Sequence, residues 1–313
     1  MTSSANKNPN MTSGVSISEM HGHAPAAAKD TWIFNAEATS TLLIAAWYIF
    51  GVYITLGIIP KNAFYEWGAH WVISFLLGVF YLGAGYLYQR HQCVTNLKSS
   101  AEYLKREAIV LLTPFIAFLV FTLLATSVVS LQPGLVESGL AAGEPGFTLP
   151  NLVYALFIHP VGPVGYFIIL LGIYVITHTP QTKRGMWTLL ACALVAKMVA
   201  IVLTDLGLAA HVPYYLLGIM DNWIWFALGI ALCAFDTPKL LRQSALAAGL
   251  TAAFFVLAAL LLTFNMAEAA LLSLLTLLGL LALYSLSAAR FLRGNQIRFY
   301  GFVTRYTMAI WLM

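Results

Sequence analysis

The stretch from Trp67 to Phe115 sets the terms for the rest of the chain. It holds an apolar run, GAHWVISFLLGVFYLGAGYLY, then a basic segment from Arg90 to Arg106, then a second apolar run that opens at Glu107. Roughly 20 apolar residues cross a bilayer, so this pattern predicts a membrane helix, a short charged loop and another membrane helix. Arg90, Lys98, Lys105 and Arg106 mark the loop as cytoplasmic, because positive residues stay on the inner side. The direction of every other span follows from that assignment.

Composition agrees. Of 313 residues, 60% are hydrophobic and only 9% charged, whereas a soluble domain carries about 25% charged residues. The fold class expected is all-α, a polytopic transmembrane bundle of about nine spans. Residues 1–38, rich in Ser, Asn, Ala and Gly, read as a disordered cytoplasmic tail, and 39–313 as the membrane domain. His21 and His23 lie in that tail, and no metal site is expected there or elsewhere. Spans are expected near 41–59, 67–88, 107–131, 162–177, 186–208, 213–235, 241–264 and 267–289. A ninth, incomplete, begins near Phe299. No cleaved signal peptide is expected, so the first span would direct insertion. Lys183, Arg184, Lys239, Arg242, Arg290, Arg293 and Arg298 fall in even-numbered connections, which places the amino terminus in the cytosol of a cell (inner or plasma) membrane. The net charge of +4 is spread over span ends facing anionic lipid, so nucleic acid is not an expected partner.

Charges within spans are costly, about 2.5–3.5 kcal/mol at a helix centre on an insertion scale, and each is a functional candidate. Lys197 in the fifth span and Asp221 in the sixth lie at similar depth on consecutive antiparallel helices, so their side chains are expected to meet. The pair reads either as a structural ion pair or as a substrate contact. Glu66 and His70 stand one turn apart, which suits a carboxylate-oriented general base with Asp221 as a further catalytic candidate. The plainer reading is a polar interfacial turn beside Trp67 and Trp71. Arg305 either snorkels to the interface or binds an anionic oxygen. Trp223 and Trp225 either pack or line a substrate channel. Gly83 and Gly85 leave room for a close helix neighbour.

Three patches carry a family resemblance. Ser74–Tyr88 resembles the "SFHMPxFFxxSGYLY" segment of the acyltransferase family 3 membrane proteins, Trp223–Gly229 their "iWFxxGM" helix, and Tyr306–Met313 their "YTMPIFLMH" segment. Leu76, Gly78 and Ala84 stand where that family carries histidine, proline and serine, and the chain stops before the histidine of the last motif, as a C-terminally short member would. The resemblance implies an O-acyltransferase with no permanently bound cofactor. It would move an acyl group, expected to be acetyl, from cytoplasmic acyl-CoA to a hydroxyl of a surface carbohydrate or other envelope acceptor. Arg90, Lys105, Arg106 and Arg305 would then meet the coenzyme's phosphates. From another class comes the alternative of a noncatalytic membrane scaffold or transporter that keeps the same bundle.

Overall fold

The structure is a computed structural model. It describes residues 31–55, 57–60, 63–90, 97–129, 131, 147–158, 165–180, 182–235, 238–264, 266, 268–289 and 303. Its described elements are α1 (Thr31–Thr55), α2 (Ala63–Arg90), α3 (Leu97–Val129), α4 (Leu149–Phe157), α5 (Gly165–Ile176), α6 (Lys183–Asp205), a 3-10 turn (Ala209–His211), α7 (Tyr214–Ala234), α8 (Pro238–Leu241), α9 (Ser244–Thr263) and α10 (Ala269–Ala288). No strand occurs among the described residues.

Six of these helices, α1, α3, α6, α7, α9 and α10, are long and apolar enough to cross a membrane. The 28 residues of α2 also have the length for a crossing. By contrast α5 has twelve residues, about 18 Å at 1.5 Å per residue, against a hydrocarbon core of about 30 Å. The expected fourth span is thus too short by itself, and nine crossings are not reached among the described residues. The expected ninth span and Arg305 lie outside them.

Two boundaries differ from the sequence reading. The chain is already helical at Thr31, so the tail boundary drawn at residue 38 falls inside α1. Trp32, Ile33, Ala36, Ser40, Thr41 and Ile44 are buried at helical spacing, and this stripe docks the first turns of α1 on α2 and α10. The basic segment after Arg90 is likewise helical from Leu97, where Leu, Lys, Ala, Glu and Arg, all strong helix formers, fill the first turns of α3. At the far ends, Gly57 and Gly207 take φ near +70°. Each closes its helix with a bond back five residues, Ile58 N–H to Tyr53 O at 2.9 Å and Leu208 N–H to Leu203 O at 2.8 Å.

Ring contacts fix the directions. Trp47 stacks on Tyr65 and Trp32 meets Tyr86, so α1 and α2 are antiparallel. Tyr81 meets Tyr166 and Tyr88 meets Tyr174, so α2 and α5 are parallel. Trp187 meets Phe235 while Lys197 meets Asp221, so α6 and α7 are antiparallel. Consequently Arg90, Lys98, Lys105, Arg106, Lys183, Arg184, Lys239 and Arg242 gather at one end of the bundle. Among the described residues Lys197 is the one lysine or arginine away from that end.

At the centre α2 packs along α7, with α1 and α10 on its flanks. The contact with α7 is made by backbone. A Cβ on Gly85 would occupy the place of the Phe226 carbonyl, and a Cβ on Gly229 that of the Leu82 carbonyl. Of the two glycines expected to admit a neighbour, Gly85 admits α7. Gly83 admits a side chain instead, that of Glu37.

Candidate functional site

Lys197 and Asp221 meet as the sequence predicts. Lys197 Nζ lies 2.6 Å from Asp221 Oδ1 and 5.2 Å from the centroid of Trp225, whose ring face adds a cation–π contact. Both residues sit about 10–12 Å from the end of the bundle opposite the basic one, counted at 1.5 Å per residue. The two partners differ in exposure. The lysine side chain is 9% exposed and the aspartate 45%. The ammonium is therefore enclosed by protein, whereas the carboxylate has an open side that a second group could approach.

The two indoles on α7 serve different neighbours. Two residues along a helix turn about 200°, so side chains at that spacing do not share a face. Trp225 turns to Lys197 on α6. Trp223 turns to α5, where its Nε1–H donates to Thr177 Oγ1 at 2.9 Å. They do not line one channel. Thr177 also accepts, at its backbone oxygen, the Tyr88 hydroxyl at 2.8 Å. Thr177 therefore joins α2, α5 and α7 at one buried point. Thr177→Val keeps the shape and removes the acceptor for the indole, so we expect a loss of about 1–3 kcal/mol for the stranded donor. Thermal unfolding of the purified protein in detergent measures it. Adding Trp223→Phe should cost less than the sum of the two single changes, because the donor is then gone as well.

The basic candidates sit together by helix placement. Tyr88 and Tyr103 meet edge to face at 5.6 Å, which sets the last turn of α2, with Arg90, beside the first turns of α3, with Lys105 and Arg106. All three are exposed. Arg106 Nη2 lies 3.6 Å from Glu107 Oε1, a loose pair on a 64% exposed guanidinium that leaves it available to another anion. Glu66 and His70 are in the first turns of α2, one turn apart on the helix, but their side chains lie outside the described residues, as does Arg305. Among the described residues no three or more of His, Cys, Asp and Glu come together to hold a metal.

The residue that the sequence reading missed is Glu37. Counted with the tail, it stands on α1 next to the buried Ala36 and Ala38, is itself half-buried, and its carboxylate occupies the space beside Gly83. The signal was present in Trp32, Ala36 and Ser40, spaced at four residues around it.

No family model, curated protein or solved structure matches the chain.

Proposed function

We propose that the chain is an integral membrane O-acyltransferase. It moves an acyl group, acetyl first, from acyl-CoA at the basic end of the bundle to a hydroxyl of a surface carbohydrate or related envelope component. The observation that carries this reading is a contact. Ser74–Tyr88 and Trp223–Gly229, the two described patches that resemble acyltransferase family 3, pack backbone to backbone through Gly85 and Gly229. Residues far apart in sequence that resemble one family and meet in space support a shared working unit.

By the positive-inside rule the basic end is cytosolic, where acyl-CoA is found, and the amino terminus lies on that side. The exposed Arg90, Lys105 and Arg106 suit its phosphates. Asp221 is the candidate base: it takes the proton of the acceptor hydroxyl as the new C–O bond forms and the thioester C–S bond breaks, and that proton then passes to the departing thiolate, so that the coenzyme leaves as its thiol. Lys197 holds the carboxylate in place. Trp225 holds Lys197.

The test is the full-length protein in lipid nanodiscs with labelled acetyl-CoA. Transfer to an added glycan, or slow hydrolysis, is expected, and Asp221→Asn should lower it by about 10²–10⁴, the usual contribution of a general base. Arg106→Ala should raise KM with less effect on kcat, since it removes binding shared by ground and transition states. One observation favours the noncatalytic alternative. Leu76, at the position of the family's motif histidine, is 0% exposed and cannot move a proton. Binding of acetyl-CoA without any turnover in a monodisperse preparation would replace the enzyme with that scaffold or transporter.

A further inference from the structure

Asp221 lies at membrane depth and still has an open side. The 21 residues of α7 extend about 31 Å at 1.5 Å per residue, which matches a hydrocarbon core of about 30 Å. Asp221 is the eighth of them, so its 45% exposed side chain is within that core. An ionisable residue in a span faces the bundle interior or a water-filled cavity, because lipid offers it no hydrogen bond. Helices flank this one on two sides. Lys197 of α6 bonds it, and Tyr81 of α2 lies within electrostatic reach of both Asp221 and Tyr214.

The exposure of α7 along its length shows where the space is. This central helix packs against α2, α5 and α6. In the half toward the basic end, residues 224–231 are buried with the exception of Leu228. In the other half, residues 217–223 are all partly exposed, and seven consecutive residues go nearly twice round a helix of 3.6 residues per turn. A single lipid-facing stripe cannot expose every one of them. α5 stays close there, with Ile169 against Gly218 and Ile219 against Gly172, and Lys197 closes the side of α6. The gap is thus between α7 and α2. Tyr214, Leu217 and Asp221, spaced three and four apart, share one face of α7 along it. At its mouth Tyr214 and Tyr48 of α1, 40% and 49% exposed, lie within each other's electrostatic reach. Toward the basic end it closes where Gly85 and Gly229 bring the two backbones together.

We propose that the gap between α2 and α7 is a water-filled vestibule, open at the end opposite the basic one, that takes an uncharged, hydroxyl-bearing ligand at Asp221. The ion pair selects the ligand by charge. A cation at the open side of the carboxylate would face the Lys197 ammonium, which already holds Oδ1 at 2.6 Å. An anion would meet the carboxylate, since the ammonium is enclosed by protein. A hydroxyl brings no net charge and donates to the carboxylate, a hydrogen bond of the stronger, charge-assisted kind. Tyr48 and Tyr214 supply rings that are apolar on their faces and polar at one edge, which suits the carbon skeleton and hydroxyls of a sugar-like molecule. The inference holds whether the ligand is acylated or carried, so it is independent of acyl transfer.

Cysteine accessibility tests it. In the full-length chain Cys93, Cys192 and Cys233 are replaced by alanine, and Leu217→Cys, Val202→Cys and Ile230→Cys are introduced singly. Monodisperse protein in phosphatidylcholine nanodiscs, without acetyl-CoA, is treated with a charged, membrane-impermeant methanethiosulfonate, and modification is followed by mass spectrometry. Val202, on α6 at the depth of Leu217, is 49% exposed on the lipid side. Leu217→Cys should nevertheless react at least about tenfold faster than Val202→Cys, because a thiol in hydrocarbon stays protonated and the thiolate is the reacting form. Ile230→Cys, in the closed half, should stay unmodified. Glucose at its Kd should slow the reaction of Leu217→Cys about twofold, choline at the same concentration should not, and His211→Cys on the exposed 3-10 turn should ignore both. The proposal is overturned if Leu217→Cys reacts no faster than Val202→Cys, which would mean lipid in the gap. It is equally overturned if choline protects instead of glucose, or if neither does.

Discussion

Gly85→Ala and Gly229→Ala should each disrupt the bundle, although each adds one methyl group. The added carbon would coincide with a backbone carbonyl of the facing helix, Phe226 in one case and Leu82 in the other. A crowded side chain can change rotamer. A helical carbonyl cannot turn away without breaking its own hydrogen bond, so the helices must separate. In lipid, helix association rests on close packing and interhelical polar contacts rather than on a hydrophobic drive, and separation forfeits that packing along the whole α2–α7 contact. We expect a loss at or beyond the upper end of the about 1–3 kcal/mol typical of overpacked cores. It should appear as disappearance of the monodisperse peak after detergent extraction. Two other glycines calibrate the result. Gly78→Ala meets only Leu280 side-chain atoms, at 3.2 Å and beyond, and should cost less. Gly249→Ala meets nothing within 4 Å and should be neutral or stabilising by up to about 1 kcal/mol, the helix-propensity difference. Equal behaviour of Gly85→Ala and Gly249→Ala would contradict the packing described.

What could be read from the sequence was what depends on one-dimensional spacing. Apolar runs predicted crossing helices, and six helices of the required length and hydropathy are present. The meeting of Lys197 with Asp221 followed from equal depth on consecutive antiparallel helices, two facts that need no coordinates. Less legible were features created by close packing of small residues. Ala36, Ala38 and Ser40 carry little hydropathy, so the start of α1 resembled a tail, yet all three are buried to completion because small side chains let helices approach. Glu37 was hidden for the same reason. Mean hydropathy also cannot distinguish a basic loop from basic helical turns, which is why Lys98, Lys105 and Arg106 were assigned to a connection rather than to α3. The divergence of Trp223 and Trp225 is different, since the helical period alone would have separated them.

Asp221→Leu should be far more damaging than Lys197→Met, though both break the same pair. Removing the carboxylate leaves an ammonium on a side chain only 9% exposed, with the Trp225 face as its remaining support. Stripping one partner from a buried pair costs about 3–5 kcal/mol, and a cation–π contact returns at most about 2 kcal/mol. Removing the lysine instead leaves a carboxylate whose side chain is 45% exposed and so much less enclosed by protein than the ammonium. The combined Lys197→Met and Asp221→Leu variant should recover most of the stability lost in Asp221→Leu, because no buried charge then remains and the replacements are apolar. Thermal unfolding of the four proteins in one detergent measures the cycle, and additive effects of similar size would show that the pair is not coupled as the 2.6 Å contact requires. The double variant also separates structure from chemistry. If the pair serves only to hold α6 on α7, restored stability should restore acyl transfer. If Asp221 takes the hydroxyl proton, the recovered fold should remain as inactive as Asp221→Asn.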